Sequence, residues 1–403
     1  MTTQTERTVD QSWALYDHAQ NLIPMATQTH SKAPREALRG IEPCYVVSGK
    51  GGRVQDLDGN EYIDFRLGLG PVTLGYAFPA VNEAIRAQLE KGIVFPYSHP
   101  LEVEVAERLI THIPCAERVR FLKTGGEAMA ATFHLSRAFT GRDIIITCGY
   151  HGWINSLRDG TPKAVKSVYQ RQPWGDATPF AEAFAANPDK IAAVSVACDY
   201  ANIEAGATFL SDLRTLTEQH GALLIFDEIV TGFRLRIGGA QEYFDVTPDL
   251  SVFAKGISNG MPLSCYLGRA DIMDCVKQVT ISSTFGGDTL SLAASRAVID
   301  TYNTETVIDT LWARGQQLHA GLLTHAQRLN VPLSFKGLPP LGQLTFDHPN
   351  KDLHLRFQSE LLKRGVISYT ICYPCFSHTE SDIAEAIDAI GDALEKMVQD
   401  GVF

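Results

Sequence analysis

The sequence lacks several features that would assign it to other classes of protein. None of its apolar runs approaches the roughly 18 residues of a membrane-spanning helix. The segment from Met1 to Asp10 is polar and has no apolar core of a signal peptide. No internal repeat or low-complexity segment is present. We therefore expect a cytoplasmic globular protein that does not bind a membrane.

The sequence also lacks an excess of positive charge and is poor in cysteine. Its formal net charge of −11 argues against a nucleic-acid partner or an anionic membrane. The 8 cysteines are scattered and lie mostly in apolar runs, as expected for buried thiols in a reducing compartment. Cys372 and Cys375 form a CxxC motif without a second pair. Because zinc needs four ligands, we expect no metal site.

The stretch from residue 223 to 256 carries the strongest chemical signal. Leu223 to Phe226 is an unbroken apolar run, typical of a strand covered by helices on both faces. Asp227 follows at its carboxyl end, which is the edge where open α/β sheets bind ligands. A second short apolar run, Val252 to Ala254, precedes Lys255. The pattern therefore predicts an acid and a lysine presented together.

Such a pair has a specific chemical use. An aspartate can keep a pyridinium nitrogen protonated, and a lysine amine can form a Schiff base and then move a proton. These are the protein groups that pyridoxal 5′-phosphate requires. Taken alone, an aspartate and a lysine at this spacing are more often a helix cap and a solvated lysine, so the surrounding residues have to decide.

The surrounding motifs DEIVTGFR, GGAQEYFDVTPDL and FAKGISNGMPLS resemble those of the class III pyridoxal-phosphate aminotransferases, and among them the glutamate-1-semialdehyde aminomutase group. The similarity extends from about Asp10 to the C-terminus. It implies that Asp227 is the partner of the ring nitrogen, that Ile229 packs on the ring face, and that Lys255 is the Schiff-base lysine.

The resemblance also implies a fold. We expect an α/β pyridoxal-phosphate-dependent transferase fold of the aspartate aminotransferase type, with a mainly parallel seven-stranded sheet in the large domain and a small α+β domain. A chain of 403 residues is long enough for two domains. The expected boundaries are an N-terminal segment at 1–65 that joins the small domain, a large cofactor-binding domain at 66–305, and the rest of the small domain at 306–403.

A glycine pair marks the expected phosphate site. Val119 to Leu122 predicts a strand and Glu127 to Phe139 a helix, with Thr124, Gly125 and Gly126 between them. Backbone N–H groups at a helix N-terminus bind phosphate well. The resemblance makes this turn the phosphate cup of the cofactor. The family has Ser-Gly-Thr here, so this chain has lost the last hydroxyl donor.

Four other residues are implicated in cofactor binding by the resemblance. Tyr150 stacks on the ring, and Asn202 lies near the phenolic oxygen of the cofactor. His151 acts either in proton transfer or as a hydrogen-bonded structural residue. Thr284, in STFGGD, reaches the phosphate of the neighbouring subunit, which implies a homodimer with a shared active site; without the resemblance it would be an exposed turn.

Candidate substrate contacts lie in irregular segments. Lys32 is in the polar segment MATQTHSKAPREALRG, which the resemblance places at the active site but which is equally compatible with a solvated loop. Arg66 lies in an apolar, glycine-rich approach and needs an anionic partner, either a substrate or a structural carboxylate. Trp153 and Tyr373 are the other two candidates.

Local patterns predict the remaining elements. Residues 44–65 predict a small antiparallel sheet, and apolar spacing predicts a helix from Gln11 that stops at Pro24. A helical pattern runs from Ser291 to Leu329 with a break near Thr304. The last helix begins with a capping-box-like start at Thr379.

The expected reaction is transfer of an amino group, through a Schiff base on Lys255, between an amino substrate and a carbonyl acceptor. One alternative is a glutamate-1-semialdehyde-type 2,1-aminomutase, which moves the amine within one substrate. Another is a non-catalytic scaffold subunit, which the joint presence of Asp227, Tyr150, Lys255 and Thr284 argues against. Arg66 and the altered segment VTISSTFGGD favour transfer, whereas Asn202 is a feature of the aminomutase group.

Overall fold

The structure is a computed structural model, and it describes residues 7–155, 157–350 and 352–403. The chain divides into two compact units. The smaller unit comprises Met1–Leu69, Leu74–Phe78 and Thr310–Phe403, and the larger unit comprises Gly70–Thr73 and Pro79–Asp309.

Helices and strands alternate through the middle of the chain. The α-helices are α1 Asp10–Ala19, α2 Pro79–Leu89, α3 Pro100–His112, α4 Gly125–Thr140, α5 Lys163–Lys166, α6 Thr178–Ala186, α7 Gly206–His220, α8 Ala240–Phe244, α9 Ala270–Met273, α10 Thr289–Thr304, α11 Val307–Arg328, α12 Leu353–Lys363 and α13 Glu380–Gln399. The strands are β1 Val46–Lys50, β2 Arg53–Asp56, β3 Glu61–Asp64, β4 Arg118–Leu122, β5 Ile144–Cys148, β6 Tyr169–Arg171, β7 Ile191–Ala197, β8 Leu223–Asp227, β9 Leu250–Phe253, β10 Ser264–Gly268, β11 Leu333–Lys336, β12 Gln343–Phe346 and β13 Val366–Ile367.

The larger unit is built on a seven-stranded sheet in the order β4-β10-β9-β8-β7-β5-β6. Strands β9, β8, β7, β5 and β6 are parallel to one another, whereas β10 is antiparallel to both β9 and β4. The mainly parallel sheet of seven strands that the resemblance implies is confirmed.

The central strands are apolar throughout because both faces of this sheet are covered. Leu223 and Ile225 of β8 belong to one buried cluster, which includes residues of α4. Leu224 and Phe226, which alternate with them, belong to a second cluster that includes residues of α6 and α7. Successive side chains of a strand point to opposite faces. An unbroken apolar run is therefore what burial on both sides requires.

The smaller unit contains the predicted antiparallel sheet and one strand more. Strands β1, β2 and β3 form the meander expected at 44–65, and β13 adds to it in parallel, pairing Val366 with Ile63. A separate hairpin pairs β11 with β12. The apolar stripe of α13 packs into the core of this unit, as Ile383, Ile390 and Leu394 are buried there.

Two helix predictions are confirmed and one is wrong. The helical pattern that starts at Ser291 breaks after Thr304, and Thr379 caps α13 by accepting a hydrogen bond from the Asp382 N–H at 3.0 Å. Helix α1 ends at Ala19, however, well before the predicted stop at Pro24. Leu22 is 69 % exposed, so burial of its side chain does not stabilise a longer helix.

Two further properties concern the chain as a whole. Within the described ranges, no helix combines the length and apolarity needed to cross a membrane. The cysteines are free thiols, and Cys372 and Cys375 are both buried.

Candidate active site

Strands β8 and β9 bring Asp227 and Lys255 to one edge of the larger sheet. The two strands are parallel, with Asp227 in register with Val252, and the N–H of Glu228 donates to the carbonyl of Val252 at 2.9 Å. Lys255 begins a short 3-10 helix with a φ of 47°. Both side chains therefore leave the carboxyl ends of neighbouring strands, where the sequence predicted them.

The Asp227 carboxylate is held by both of its oxygens. Oδ1 accepts the backbone N–H of Ile229 at 3.1 Å, and Oδ2 lies 2.9 Å from Nδ1 of His151. The Asp227 side chain is only 5 % exposed. His151 is hydrogen-bonded, as one of its two predicted roles requires, and the contact orients the carboxylate. Its part in the reaction stays a prediction.

The Lys255 amine is desolvated. Burial and, to a smaller extent, the positive charge of the buried Arg234 lower its pKa to about 8, against the opposing effect of the Asp227 carboxylate. At this pKa about one amine in ten is neutral at pH 7, far more than for an ordinary lysine with a pKa near 10.4. Because only the neutral amine has a free lone pair, the site favours a nucleophilic and basic lysine.

The start of α4 offers backbone amides to an anion. The Thr124 hydroxyl accepts the Glu127 N–H at 3.3 Å and donates to the Glu127 carboxylate at 3.0 Å, so it is engaged in a capping box. The N–H groups of Gly125 and Gly126 have no acceptor within the described part of the chain. These two amides, at the positive end of a helix of 16 residues, suit a phosphate.

Ile229 closes one side of this turn. A Cβ atom on Gly125 would lie 2.4 Å from Cδ1 of Ile229, so a larger residue here would displace the Ile229 side chain. The contact links the predicted ring-packing residue to the predicted phosphate cup. Ile229 is also the residue whose N–H holds Asp227.

A loop after β5 lies against the same turn. The side chain of Asn155 donates to the carbonyls of Gly126 at 3.1 Å and His151 at 2.8 Å. A Cβ on Gly152 would come within 2.7 Å of Cα of Gly126. Sequence reasoning missed Asn155, since a single asparagine in a short loop carries no distinctive signal.

The same loop presents two large aromatic rings to solvent. Tyr150 is 66 % exposed and Trp153 is 82 % exposed. Large rings left in water next to a held carboxylate are suited to covering a flat ligand. Their predicted roles, stacking for Tyr150 and substrate contact for Trp153, stay predictions.

Asn202 and Thr284 are also predicted to bind the cofactor. Within the described part of the chain, neither makes a hydrogen bond to Asp227, to Lys255 or to the turn at Gly125 and Gly126. The Asn202 side chain is exposed and donates to the Asp199 carboxylate at 2.8 Å. Thr284 is also exposed, in a turn that the Gly286 N–H closes on the carbonyl of Ser283 at 3.3 Å.

The remaining predicted contacts belong to the smaller unit. Lys32 ends a short 3-10 helix and is exposed, and it lines one cavity with Arg66. Tyr373 is buried at 6 % exposure, and its N–H donates to the carbonyl of Phe65 at 2.8 Å. Its role as a substrate contact stays a prediction.

Glu228 is a residue that sequence reasoning missed, although it stands next to Asp227. It is fully buried and accepts the N–H groups of Ala240 at 2.7 Å and Gln241 at 2.9 Å, as well as the Thr231 hydroxyl. Burial raises its pKa to about 7. Glu228 thus anchors the segment that follows β8.

Comparisons with known proteins were consistent with this geometry. The model of the family "Aminotransferase class-III" matches residues 37–394. A 3-aminobutyryl-CoA aminotransferase of Cloacimonas acidaminovorans is 30 % identical, over 96 % of this chain and 97 % of its own length. A glutamate-1-semialdehyde 2,1-aminomutase of Syntrophobacter fumaroxidans is 33 % identical, over 97 % and 98 %. The FumI protein of Sphingopyxis sp. MTA144, solved in its PLP internal aldimine form, is 25 % identical with a TM-score of 0.90, over 98 % of both chains.

Proposed function

The chain belongs to the class III aminotransferase family, and on that premise we propose that it is a pyridoxal-phosphate-dependent aminotransferase acting between an amino compound and a carbonyl acceptor. The observation that carries the proposal is the juxtaposition of a desolvated Lys255 amine with an Asp227 carboxylate held by two hydrogen bonds. A lysine that only packed on the sheet would not need this arrangement.

The residues present fit pyridoxal 5′-phosphate, the cofactor of this family. The amides of Gly125 and Gly126 would hold the phosphate, and the oriented Asp227 would hold the ring nitrogen. Lys255 would hold the reactive carbon. Tyr150 and Ile229 would cover the ring. The Thr124 hydroxyl is occupied by Glu127, so we propose that phosphate binding relies mainly on the two amides.

The reaction depends on what each residue does at its own atoms. When bound, pyridoxal phosphate supplies an aldehyde that captures amines and a ring that takes up an electron pair. Nζ of Lys255, neutral in part at pH 7, accepts a proton and returns it. The Asp227 carboxylate would bind the ring nitrogen, and the contact with Nδ1 of His151 restrains its rotation.

We propose that the protein works as a homodimer with a shared active site. Exposed apolar side chains near the Thr284 turn support this, because a monomer would leave them in water. Val103 and Ile110 of α3 line one cavity together with Ser283 and Gly286 of that turn. The exposed apolar residues are Ile93, Val94, Phe95 and Tyr97 in the segment before α3, Val103 and Ile110 in α3, and Phe285 next to Thr284.

The dimer proposal predicts the effect of Thr284→Val. The valine keeps the shape but removes a hydroxyl that would bind the partner's cofactor phosphate, so the affinity for the cofactor should fall by about 1 to 3 kcal/mol because the acceptor is charged. Dialysis against graded concentrations of cofactor measures this loss. Thr280→Val, on the same exposed segment, is the matched control and should change nothing. A fully active monomer with unchanged retention would refute the proposal.

Two kinds of reaction remain to be separated, because relatives of both kinds are similar to the chain. We favour intermolecular transfer over the 2,1-aminomutase reaction. In the structure the side-chain amide of Asn202, which the resemblance to the aminomutase group would place near the cofactor, donates a hydrogen bond to Asp199 instead. Trp153 is our candidate for a substrate contact beside the cofactor, given its exposure.

The stoichiometry of a single half-reaction tests this choice. With the enzyme in its pyridoxal form and no acceptor, an aminotransferase should release one keto product per active site and then stop. Adding a keto acid or aldehyde should restart it. The keto product is counted by mass spectrometry after a rapid quench. Continuous isomerisation of one amino substrate without an acceptor would establish the aminomutase instead.

A further inference from the structure

The smaller unit contains a cavity lined by two of the predicted substrate contacts, Lys32 and Arg66. Its volume is about 320 Å³, within the range of small-ligand pockets. Val54, Leu362 and Ile367 provide apolar wall, and Arg66 and Lys32 provide positive charge. Two acids, Glu42 and Asp64, also line it. The ligand that suits the cavity depends on which of these charges already have partners inside the protein.

Both acids are satisfied. The Glu42 carboxylate accepts the backbone N–H of Arg35 at 2.9 Å and two of its guanidinium N–H groups, at 3.2 and 2.8 Å. The Asp64 carboxylate accepts the N–H groups of Arg66 at 2.7 Å and Leu67 at 3.2 Å, and the Tyr76 hydroxyl at 2.7 Å. Neither acid therefore needs a cation from the cavity.

The two cations, Arg66 and Lys32, do not have comparable partners among the described residues. Nε of Arg66 is buried without a hydrogen-bond partner, and among the described residues no carboxylate lies within ion-pair distance of its guanidinium. The structural ion pair considered for Arg66 from the sequence is thus not found there. The guanidinium lies over the Tyr369 ring, 5.1 Å from its centroid, which offers an aromatic face. The Lys32 side chain is exposed and makes no ion pair within the same residues.

A half-buried guanidinium whose Nε has no hydrogen-bond partner is costly, although the negative charges of Glu42 and Asp64 offset part of that cost. Burial lowers the pKa of Arg66, in agreement with that cost. The planar fork of a guanidinium matches a carboxylate through two parallel hydrogen bonds. A dianionic phosphate would in addition face the carboxylates of Glu42 and Asp64 across a small space. A singly charged ligand with an apolar body suits these walls best.

We propose that this cavity is a binding site for a small monocarboxylate, whose carboxylate accepts hydrogen bonds from Arg66 and whose apolar part packs against Val54, Leu362 and Ile367. The exposed Lys32 amine attracts the anion to the site. This inference stands on the smaller unit alone and does not depend on the reaction of the larger unit. Binding is measured without turnover, so a protein that proved inactive as an aminotransferase would still give an answer.

Calorimetric titration of the full-length protein, loaded with cofactor, tests the site. The probes are butyrate and benzoate, each compared with its neutral amide. Each carboxylate should bind about tenfold or more tightly than its amide, because hydrogen bonds to charged groups are the stronger ones. Arg66→Gln should remove that preference and weaken carboxylate binding about 10- to 100-fold, whereas Arg66→Lys should retain part of it.

Lys336→Gln is the control, since it removes one positive charge from an exposed position of the same unit. If Arg66→Gln does not fold, two other measurements test the site. One is carboxylate binding by Arg66→Lys, and the other is the benzoate-induced shift of the Arg66 Nε–H resonance in the wild-type protein. Competition with the amino substrate would identify the ligand as a substrate, and binding without competition would identify an effector. Equal affinity for carboxylate and amide, or unchanged benzoate binding by Arg66→Gln, would overturn the proposal.

Discussion

Lys255→Ala is expected to lower kcat for amino transfer by ~10³-fold or more. The variant removes both the nucleophile that holds the cofactor and the base that moves the proton, and proton transfer by a positioned side chain alone contributes about 10²- to 10⁴-fold. The backbone at this position has a φ of 47°, which strains alanine and lysine alike. The loss would therefore not come from new backbone strain. Rapid-mixing measurement of the first half-reaction gives the rate.

The controls for this prediction separate charge from chemistry. Lys255→Arg keeps a cation that cannot become neutral near pH 7, so it should be as inactive as the alanine variant. Lys190→Ala removes an exposed lysine of the larger unit and should be fully active. Lys255→Ala removes an amine that is costly to bury. The thermal stability of this variant, measured without cofactor, should therefore not fall below that of the wild type. Activity of Lys255→Ala within tenfold of the wild type would show that another group carries the chemistry.

Asp227→Asn should have the second largest effect. The amide has the same shape, but it cannot supply the negative charge that would keep the cofactor ring protonated. Losing one such electrostatic group costs about 10²- to 10³-fold in kcat. The buried position and the two hydrogen bonds that orient the carboxylate make compensation by solvent ineffective.

The measurement is the rate of the half-reaction, together with the absorption spectrum of the bound cofactor. Asp143→Asn, at an exposed site of the same unit, is the matched control. A structural role alone would lower stability and leave the cofactor spectrum unchanged. Full activity of Asp227→Asn would remove Asp227 from the mechanism.

Much of the fold followed from local patterns and from the resemblance. The apolar run of β8 predicts a strand buried on both faces, and the capping box at Thr379 predicts the start of α13. Short elements were not predictable in this way: β6 has three residues and β13 has two, too few for any periodicity. They exist because neighbouring strands supply hydrogen bonds, which is information from distant parts of the chain.

The residues of the candidate site also differ in whether the sequence alone could predict their contacts. The placement of Asp227 and Lys255 could be predicted because each comes at the end of an apolar run, whereas their roles came from the resemblance. The contact between His151 and Asp227 could not, since it joins residues 76 positions apart and requires β5, β7 and β8 to lie side by side. The occupied hydroxyl of Thr124 was likewise hidden, because the capping box competes with the phosphate for the same group.

The most direct test of the account is to identify the lysine that carries the cofactor. Protein loaded with pyridoxal 5′-phosphate is reduced with borohydride, digested, and its peptides are sequenced by mass spectrometry. One pyridoxyl group per chain is expected, on Lys255 alone, and none in Lys255→Ala. A label on any other lysine, or a wild-type protein that takes up no cofactor, would contradict it.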